Sequence, residues 1–138
     1  LLLKEVAKRL KTCLRRSDTV ARIGGDEFTC VLLDIEKTGD ITKVAQKIKK
    51  ALSNSYDFNG YNVKISGSIG ISTFPEDTKD ARQLIKNADI AMYHAKKQGK
   101  NSYEFFSAGL NEVVLDHISV KNNIHRELES QELLFHYQ

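Results

Sequence analysis

Several residue types are scarce in this 138-residue sequence. It contains no tryptophan, one proline, one methionine and two cysteines. Neither Cys13 nor Cys30 lies in a CxxC motif or beside paired histidines, which argues against a zinc or redox site, and we interpret both as small buried apolar residues. No apolar run approaches the roughly 18 residues of a membrane span, and no segment resembles a signal peptide. We therefore expect a reducing, cytoplasmic environment.

The composition is otherwise that of an ordinary globular domain. Hydrophobic residues make up 41% of the chain and charged residues 28%, and the length suits one domain. The net charge of +3 and the pI of about 8.8 give only a mild excess of positive charge. This excess is compatible with an anionic ligand but does not require nucleic acid, and we expect no nucleic-acid partner.

The hydrophobic pattern alternates between helical and strand spacing. Apolar residues three and four apart predict a helix at the start of the chain, a second after Asp40 and a third that begins at Asp77 or Thr78 and ends at Gly99. Apolar runs predict strands at 19–23, 27–33, 63–71 and 102–106, with hairpin turns at Gly24-Gly25 and Asn59-Gly60. The expected class is α/β (α+β), with helices packed on a mixed, largely antiparallel sheet.

The first hairpin carries an unusual turn, RIGGDEF, over residues 22–28. An ordinary hairpin turn needs glycines but not two adjacent acids, whereas a metal or phosphate site could need both. The alternative from the turn alone is a glycine hairpin with two solvated carboxylates.

This turn resembles the signature of the GGDEF family, the diguanylate cyclase domains. Four further segments follow the family's order: RRSD at 15–18, VKISGSIGI at 63–71, ADIAMYHAK at 88–96 and GKN at 99–101. The resemblance covers residues 1–107 and implies a nucleotidyl-cyclase, polymerase-palm-like fold. The family's first strand, with its metal-binding Asp, and its guanine-binding Phe-Lys-x-x-Asn-Asp segment have no counterpart here. We therefore expect the sheet to lack its first strand in this chain.

The resemblance implies that two GTP molecules are condensed into cyclic di-GMP, a reaction for which the family needs a homodimer. Asp26 and Glu27 take the catalytic positions, and Asp26 is the expected ligand of Mg²⁺ or Mn²⁺. Gly24 and Gly25 carry no side chain that could obstruct the nucleotide. Without the expected first strand and guanine contacts, the 138 residues alone are not expected to turn over GTP.

Two further pairs of residues match positions that bind nucleotide in the family. Lys96 and Lys100 match a Lys and an Arg that hold GTP phosphates; Lys100 keeps the charge of that Arg but loses its planar fork. The alternative is that both lysines only complement the helix dipole. Arg15 and Asp18 match the RxxD motif of product inhibition, in which Arg contacts guanine O6 and N7. By itself, RxxD is usually surface charge.

The end of the chain has a second resemblance. Residues 124–138, IHRELESQELLFHYQ, look like the opening of an EAL domain, a cyclic di-GMP phosphodiesterase module. We expect a GGDEF part at 1–107, a linker helix at 108–130 and the beginning of an EAL domain at 131–138. The expected parent is a GGDEF–EAL signalling protein, whose membrane tether, if it has one, lies outside these residues. The alternative is a non-catalytic GGDEF module that binds GTP or cyclic di-GMP and regulates the attached EAL phosphodiesterase.

Overall fold

The computed structural model describes residues 1–58 and 60–110. The elements in chain order are α1 (Leu2–Cys13), β1 (Thr19–Gly24), β2 (Glu27–Val31), α2 (Thr38–Ser53), β3 (Tyr56–Phe58), β4 (Tyr61–Val63), β5 (Ile69–Ile71), α3 (Ala81–Lys97), β6 (Tyr103–Phe105) and a 3₁₀ turn (Ala108–Leu110). The expected start of an EAL domain and all but the first three residues of the expected linker helix lie outside the described residues. Among the described helices, none is long and apolar enough to cross a membrane.

The strands of the described residues form three small sheets of two strands each. β1 pairs with β2 and β3 with β4 in antiparallel hairpins, and β5 runs parallel to β6. The mixed α+β class predicted from the sequence is confirmed. Its strands, however, are not joined in one continuous ladder, because no backbone pairing links the three sheets within the described residues.

The single strand expected over 63–71 is wrong. It divides into β4 and β5, and residues 64–68 between them belong to neither strand. Ile65 packs against the core in this interval, and a Cβ on Gly67 would lie 3.1 Å from Cδ1 of Leu52. The chain therefore follows the surface of α2 here, and glycine in a strand interior favours such a break.

The main core lies between α1, α2 and the strands. Its buried members come from both helices and from β3: Val6, Leu10, Cys13, Ile48, Leu52 and Tyr56. Partly buried side chains from the first hairpin and from β5 complete it, among them Val20, Phe28 and Ile69. The amphipathic spacing of α1 thus fixes its inner face and leaves its outer face to solvent.

α1 and α2 also cap each other. The Arg9 guanidinium donates hydrogen bonds to the carbonyls at the end of α2, to Ala51 at 2.9 Å and to Asn54 and Ser55 at 2.7 Å each. In return, the Lys47 ammonium donates to the carbonyls of Thr12 and Cys13, both at 3.1 Å, at the end of α1. The terminal carbonyls of a helix have no partner within it, so each helix supplies donors to the other.

α3 packs against β5 and β6. Gly70 in β5 allows the close approach, because a Cβ there would overlap the Ala88 carbonyl oxygen and the Met92 backbone nitrogen. The predicted end of this helix is confirmed, since Gly99 adopts a φ of +126° just beyond it.

The predicted helix starts were less accurate. α3 is capped by Asp80, whose carboxylate accepts a hydrogen bond from the Gln83 N–H at 2.7 Å. Asp77 is already engaged with Thr73, accepting from its backbone N–H at 2.6 Å, so it cannot serve as the cap. α2 begins at Thr38, before Asp40, which pairs with Lys43 in its first turn.

Candidate functional site

The signature residues lie at the tip of the β1–β2 hairpin. Gly24 is still part of β1 and pairs with Glu27, so the two-residue turn is Gly25-Asp26 and not the predicted Gly24-Gly25. Gly25 has a φ of +46°, a left-handed conformation that favours glycine. The register shifts between Arg22 and Gly24, which marks a β-bulge. Bulges bend a strand locally and re-aim its side chains, and they are frequent beside active sites.

The turn is held by its own strand. The Arg22 side chain donates a hydrogen bond from Nε to the Gly25 carbonyl oxygen at 2.9 Å. This bond engages the Gly25 carbonyl oxygen and involves neither the Asp26 nor the Glu27 carboxylate. Arg22 therefore positions the signature turn, a role that the sequence pattern did not indicate.

The carboxylates of Asp26 and Glu27 project from this tip into solvent. Both residues are exposed, and neither carboxylate takes part in a hydrogen bond or ion pair with the residues that the structure describes. The described part of the chain also holds no group of three or more His, Cys, Asp or Glu side chains close enough to bind one metal ion. The described side chains at this turn therefore offer a cation two carboxylates. That set fits Mg²⁺, which takes one or two protein carboxylates and completes its shell with water and phosphate oxygens.

Nothing in the hairpin explains why residue 24 is a glycine. It does not have a positive φ, and a Cβ placed on it would meet no atom within 4 Å. The described fold would thus accept a side chain here. A bare backbone next to two free carboxylates is what the close approach of a ligand requires.

Arg15 and Asp18 form a closed turn directly after α1. The Asp18 carboxylate accepts a hydrogen bond from the Arg15 N–H at 2.8 Å, and the Asp18 N–H donates to the Arg15 carbonyl at 3.1 Å. The second carboxylate oxygen accepts from the Leu33 N–H at 3.2 Å, which ties the turn to the chain after β2. Asp18 thus shapes the turn, and the Arg15 side chain is exposed and has no partner among the described residues.

Lys96 and Lys100 flank the end of α3. Lys96 lies in the last turn of the helix, and Lys100 follows the terminating Gly99. Both are exposed, and Lys100 has a φ of +58°, which is uncommon for a side chain of its type. The position places two cations where the helix carries its partial negative charge. Neither ammonium group forms a hydrogen bond or ion pair in the described part of the chain.

The sequence-predicted residues thus form three groups: the hairpin tip, the turn after α1 and the end of α3. Within residues 1–58 and 60–110, no hydrogen bond or ion pair joins one group to another.

Two cysteines lie near these elements. Burial raises the pKa of Cys30, on β2, to about 11, and the thiolate that Cys13 forms at high pH and the charge of Asp18 add to the shift. Burial likewise raises the pKa of Cys13. Both thiols therefore stay protonated at neutral pH, and neither is an activated nucleophile.

Comparison with known proteins identifies relatives of this chain. The chain is 41% identical over all 138 residues to the bifunctional diguanylate cyclase/cyclic di-GMP phosphodiesterase MucR of Pseudomonas aeruginosa, of which it covers 20%. It is 32% identical over 137 residues to the cyclic di-GMP phosphodiesterase NbdA of the same organism, of which it covers 17%. The chain therefore spans about a fifth of the length of these curated relatives.

A solved structure extends the comparison to the fold. The GGDEF domain of TpbB, also called YfiN, from Pseudomonas aeruginosa superposes with a TM-score of 0.80 at 32% identity, over 83% of this chain and 67% of that one. The family model described as "Diguanylate cyclase, GGDEF domain" matches residues 1–102. The chain belongs to the GGDEF family of diguanylate cyclase domains.

Proposed function

We propose that this chain supplies the signature hairpin, the phosphate-binding helix end and the inhibitory turn of a diguanylate cyclase that condenses two GTP molecules into cyclic di-GMP. The observation that carries the proposal is the hairpin tip, where Asp26 and Glu27 are free of protein partners beside a glycine that the fold does not require. A hairpin with merely solvated acids would have no use for a bare backbone at Gly24.

The reaction is a phosphoryl transfer between two nucleotides. The 3′ hydroxyl of each GTP forms a bond to the α-phosphorus of the other, so that two phosphodiester bonds form, two bonds to departing pyrophosphates break and the two hydroxyl protons are released. Such a transfer depends mainly on positioning and on neutralising charge at the phosphates. A bound Mg²⁺ or Mn²⁺ would supply most of that neutralisation. Asp26 would hold the ion, with Glu27 beside it.

The end of α3 would contribute to phosphate binding. Lys96 and Lys100 bring two ammonium groups that have no protein partner among the described residues. A lysine acts on phosphate as a flexible point charge, whereas an arginine would offer a planar, bidentate fork. Lys100 would therefore attract a phosphate by its charge but would not fix the orientation of that phosphate.

Two copies of the protein would be needed for one product molecule. Each copy presents one signature hairpin, and the reaction joins two nucleotides. Each copy would hold one GTP, and each GTP would attack the other in turn, which makes a homodimer the catalytic unit.

The turn after α1 would bind the product. Arg15 is free to donate two hydrogen bonds to guanine O6 and N7. The Asp18 carboxylate has already accepted one hydrogen bond at each oxygen, but a carboxylate offers about four acceptor sites. Asp18 could thus accept from guanine while it maintains the turn that presents Arg15.

A second candidate is a regulatory module that binds GTP or cyclic di-GMP without turnover and controls an attached EAL phosphodiesterase. It is favoured by NbdA, which is similar over 99% of this chain and is named as a phosphodiesterase alone. The two candidates share the binding residues and differ only in whether GTP is consumed.

GTP turnover by the expected GGDEF–EAL parent, called the longer protein below, decides between the two candidates. Asp26→Asn removes the charge that would hold the metal and should lower cyclic di-GMP formation about a hundredfold or more, because a metal contributes several kcal/mol to such a reaction. The matched control is Asp34→Asn, at an exposed position after β2 whose φ of +53° suits asparagine.

Three results are informative. Loss in Asp26→Asn and retention in Asp34→Asn support the cyclase. A wild-type protein that binds GTP, forms no product and changes its phosphodiesterase rate with GTP supports the regulatory module. Full activity of Asp26→Asn would refute the role of the hairpin.

A further inference from the structure

We propose that the outer face of α1 is an electrostatic docking surface for an anionic phospholipid bilayer. The surface is the row formed by Lys4, Lys8 and Lys11, which we call the basic stripe, and Arg15 extends it beyond the helix end. Residues four and three apart on a helix lie on one face, so the three lysines form a single line of about 10 Å.

The cations of the basic stripe are available. All three lysines and Arg15 are exposed, and none of their side chains forms a hydrogen bond or ion pair with the described residues. Arg9 on the same helix behaves differently, because it caps α2 and covers the ring of Tyr56 at 3.6 Å. The basic residues of α1 thus divide into one that supports the fold and a row that does not.

The charge of the chain is concentrated in this region. Residues 1–16 contain six basic residues and one acid, Glu5, which pairs with Arg9 at 3.8 Å. The remaining 122 residues contain 15 basic and 17 acidic residues. The mild net charge of the whole chain therefore conceals a strongly positive segment at residues 1–16 and a slightly negative charge on the rest of the sequence.

The lysines of this row repel one another, although Lys11 also complements the dipole in the last turn of α1. Like charges three and four positions apart repel, and an acid at any one of these positions would form a stabilising pair instead. A polyanion would turn the repulsion into attraction by neutralising the row from outside.

A bilayer fits the row better than a nucleic acid does. Single strands are held in basic grooves that carry aromatic stacking platforms, and residues 1–18 contain no aromatic side chain. A straight row on a convex helix face instead presents its cations together to a flat surface. The core side of α1 is fixed by Val6, Leu10 and Cys13, so the contact would be purely electrostatic and reversible, as for clusters of four to eight basic residues near anionic lipid.

Vesicle co-sedimentation of the 138-residue chain tests the proposal. Binding should be strong to vesicles that contain phosphatidylglycerol and weak to pure phosphatidylcholine. It should be lost when salt is raised from about 0.1 M to about 1 M, which shortens the Debye length from about 10 Å to about 3 Å. Equal binding to both vesicle types, or binding that resists salt, would overturn the proposal without any variant.

Substitutions locate the surface. The triple change Lys4→Gln, Lys8→Gln and Lys11→Gln should weaken binding to phosphatidylglycerol vesicles about a hundredfold. The matched control replaces Lys64, Lys79 and Lys86 by glutamine, removing the same charge from exposed positions outside α1. If both triple variants lost the same affinity, net charge and not the basic stripe would be responsible. If the wild type bound a random DNA duplex more tightly than the anionic vesicles, the partner would be nucleic acid and the proposal would be wrong.

Discussion

At the scale of single residues, Asp18 combines a structural task with the proposed contact to guanine. Its carboxylate accepts hydrogen bonds from the backbone N–H groups of Arg15 and Leu33, so it connects the end of α1 to the chain after β2. The sequence identified the pair through its spacing from the glycines. It could not reveal that Asp18 also ties the turn that presents Arg15 to Leu33, because Leu33 lies 15 positions away in the sequence.

Substitutions of Arg15 and Asp18 should therefore have different effects on ligand binding and on stability. In the longer protein, Arg15→Ala should weaken cyclic di-GMP binding about tenfold and leave thermal stability unchanged, because one bidentate guanine contact contributes roughly 1–3 kcal/mol. Asp18→Ala should weaken binding and also lower stability, because two exposed backbone N–H groups lose an acceptor and each such hydrogen bond contributes about 0.5–1.5 kcal/mol. Calorimetric titration and thermal unfolding measure the two effects. Unchanged affinity in Arg15→Ala would show that the RxxD motif is ordinary surface charge in this protein.

At the scale of elements, the contact between β5 and α3 depends on one missing side chain. Any Cβ at Gly70 would overlap the backbone of α3 at Ala88 and Met92. Backbone atoms in the middle of a helix cannot yield as the end of a flexible side chain can. The helix and the strand would have to separate. Because β5 and β6 both pack against α3, the contact with β6 would be disturbed as well.

Gly70→Ala should therefore destabilise the protein by about 3 kcal/mol, at the upper end of what overpacking usually costs. Gly39→Ala is the matched control, since a Cβ there meets nothing within 4 Å and Gly39 lies in the first turn of α2. Alanine is the better helix former by up to about 1 kcal/mol, so this variant should be at least as stable as the wild type. Urea unfolding monitored by circular dichroism compares the two. Equal stabilities would show that α3 can shift away from β5 at little cost.

How far the sequence predicts these elements depends on how local their causes are. The body of α3 follows from its apolar spacing and its end from Gly99, both of which are visible in the chain. Its start was misplaced because Asp77 bonds to Thr73 and leaves the cap to Asp80. The break between β4 and β5 depends on contact with α2, and the mutual caps by Arg9 and Lys47 join residues more than 30 positions apart. Periodicity carries no information on such contacts.

The same distinction applies to the candidate site. The acids and glycines were identified from the letters of the turn and its four companion segments. The bulge, the shifted turn and the brace from Arg22 could not be, because they depend on how β1 and β2 align.

At the scale of the whole molecule, the three two-stranded sheets leave strand edges without partners. Within the described residues, every strand pairs with one neighbour only. The first hairpin also exposes apolar side chains, with Ile23 at 65% and Val31 at 50% of their full accessibility. Unpaired edges with exposed apolar residues invite pairing with another chain.

The 138-residue chain should therefore associate with itself. Light scattering should give a mass above the 15.6 kDa of one chain, increasing with concentration. The double change Ile23→Lys and Val31→Lys should shift the population toward the monomer, because charged residues at a strand edge oppose pairing. Ile85→Lys adds a charge at an exposed apolar position on α3 and should leave association unchanged if the hairpin is responsible. A chain that unfolds cooperatively and remains a monomer at high concentration would instead mean that these edges are already protected within one molecule.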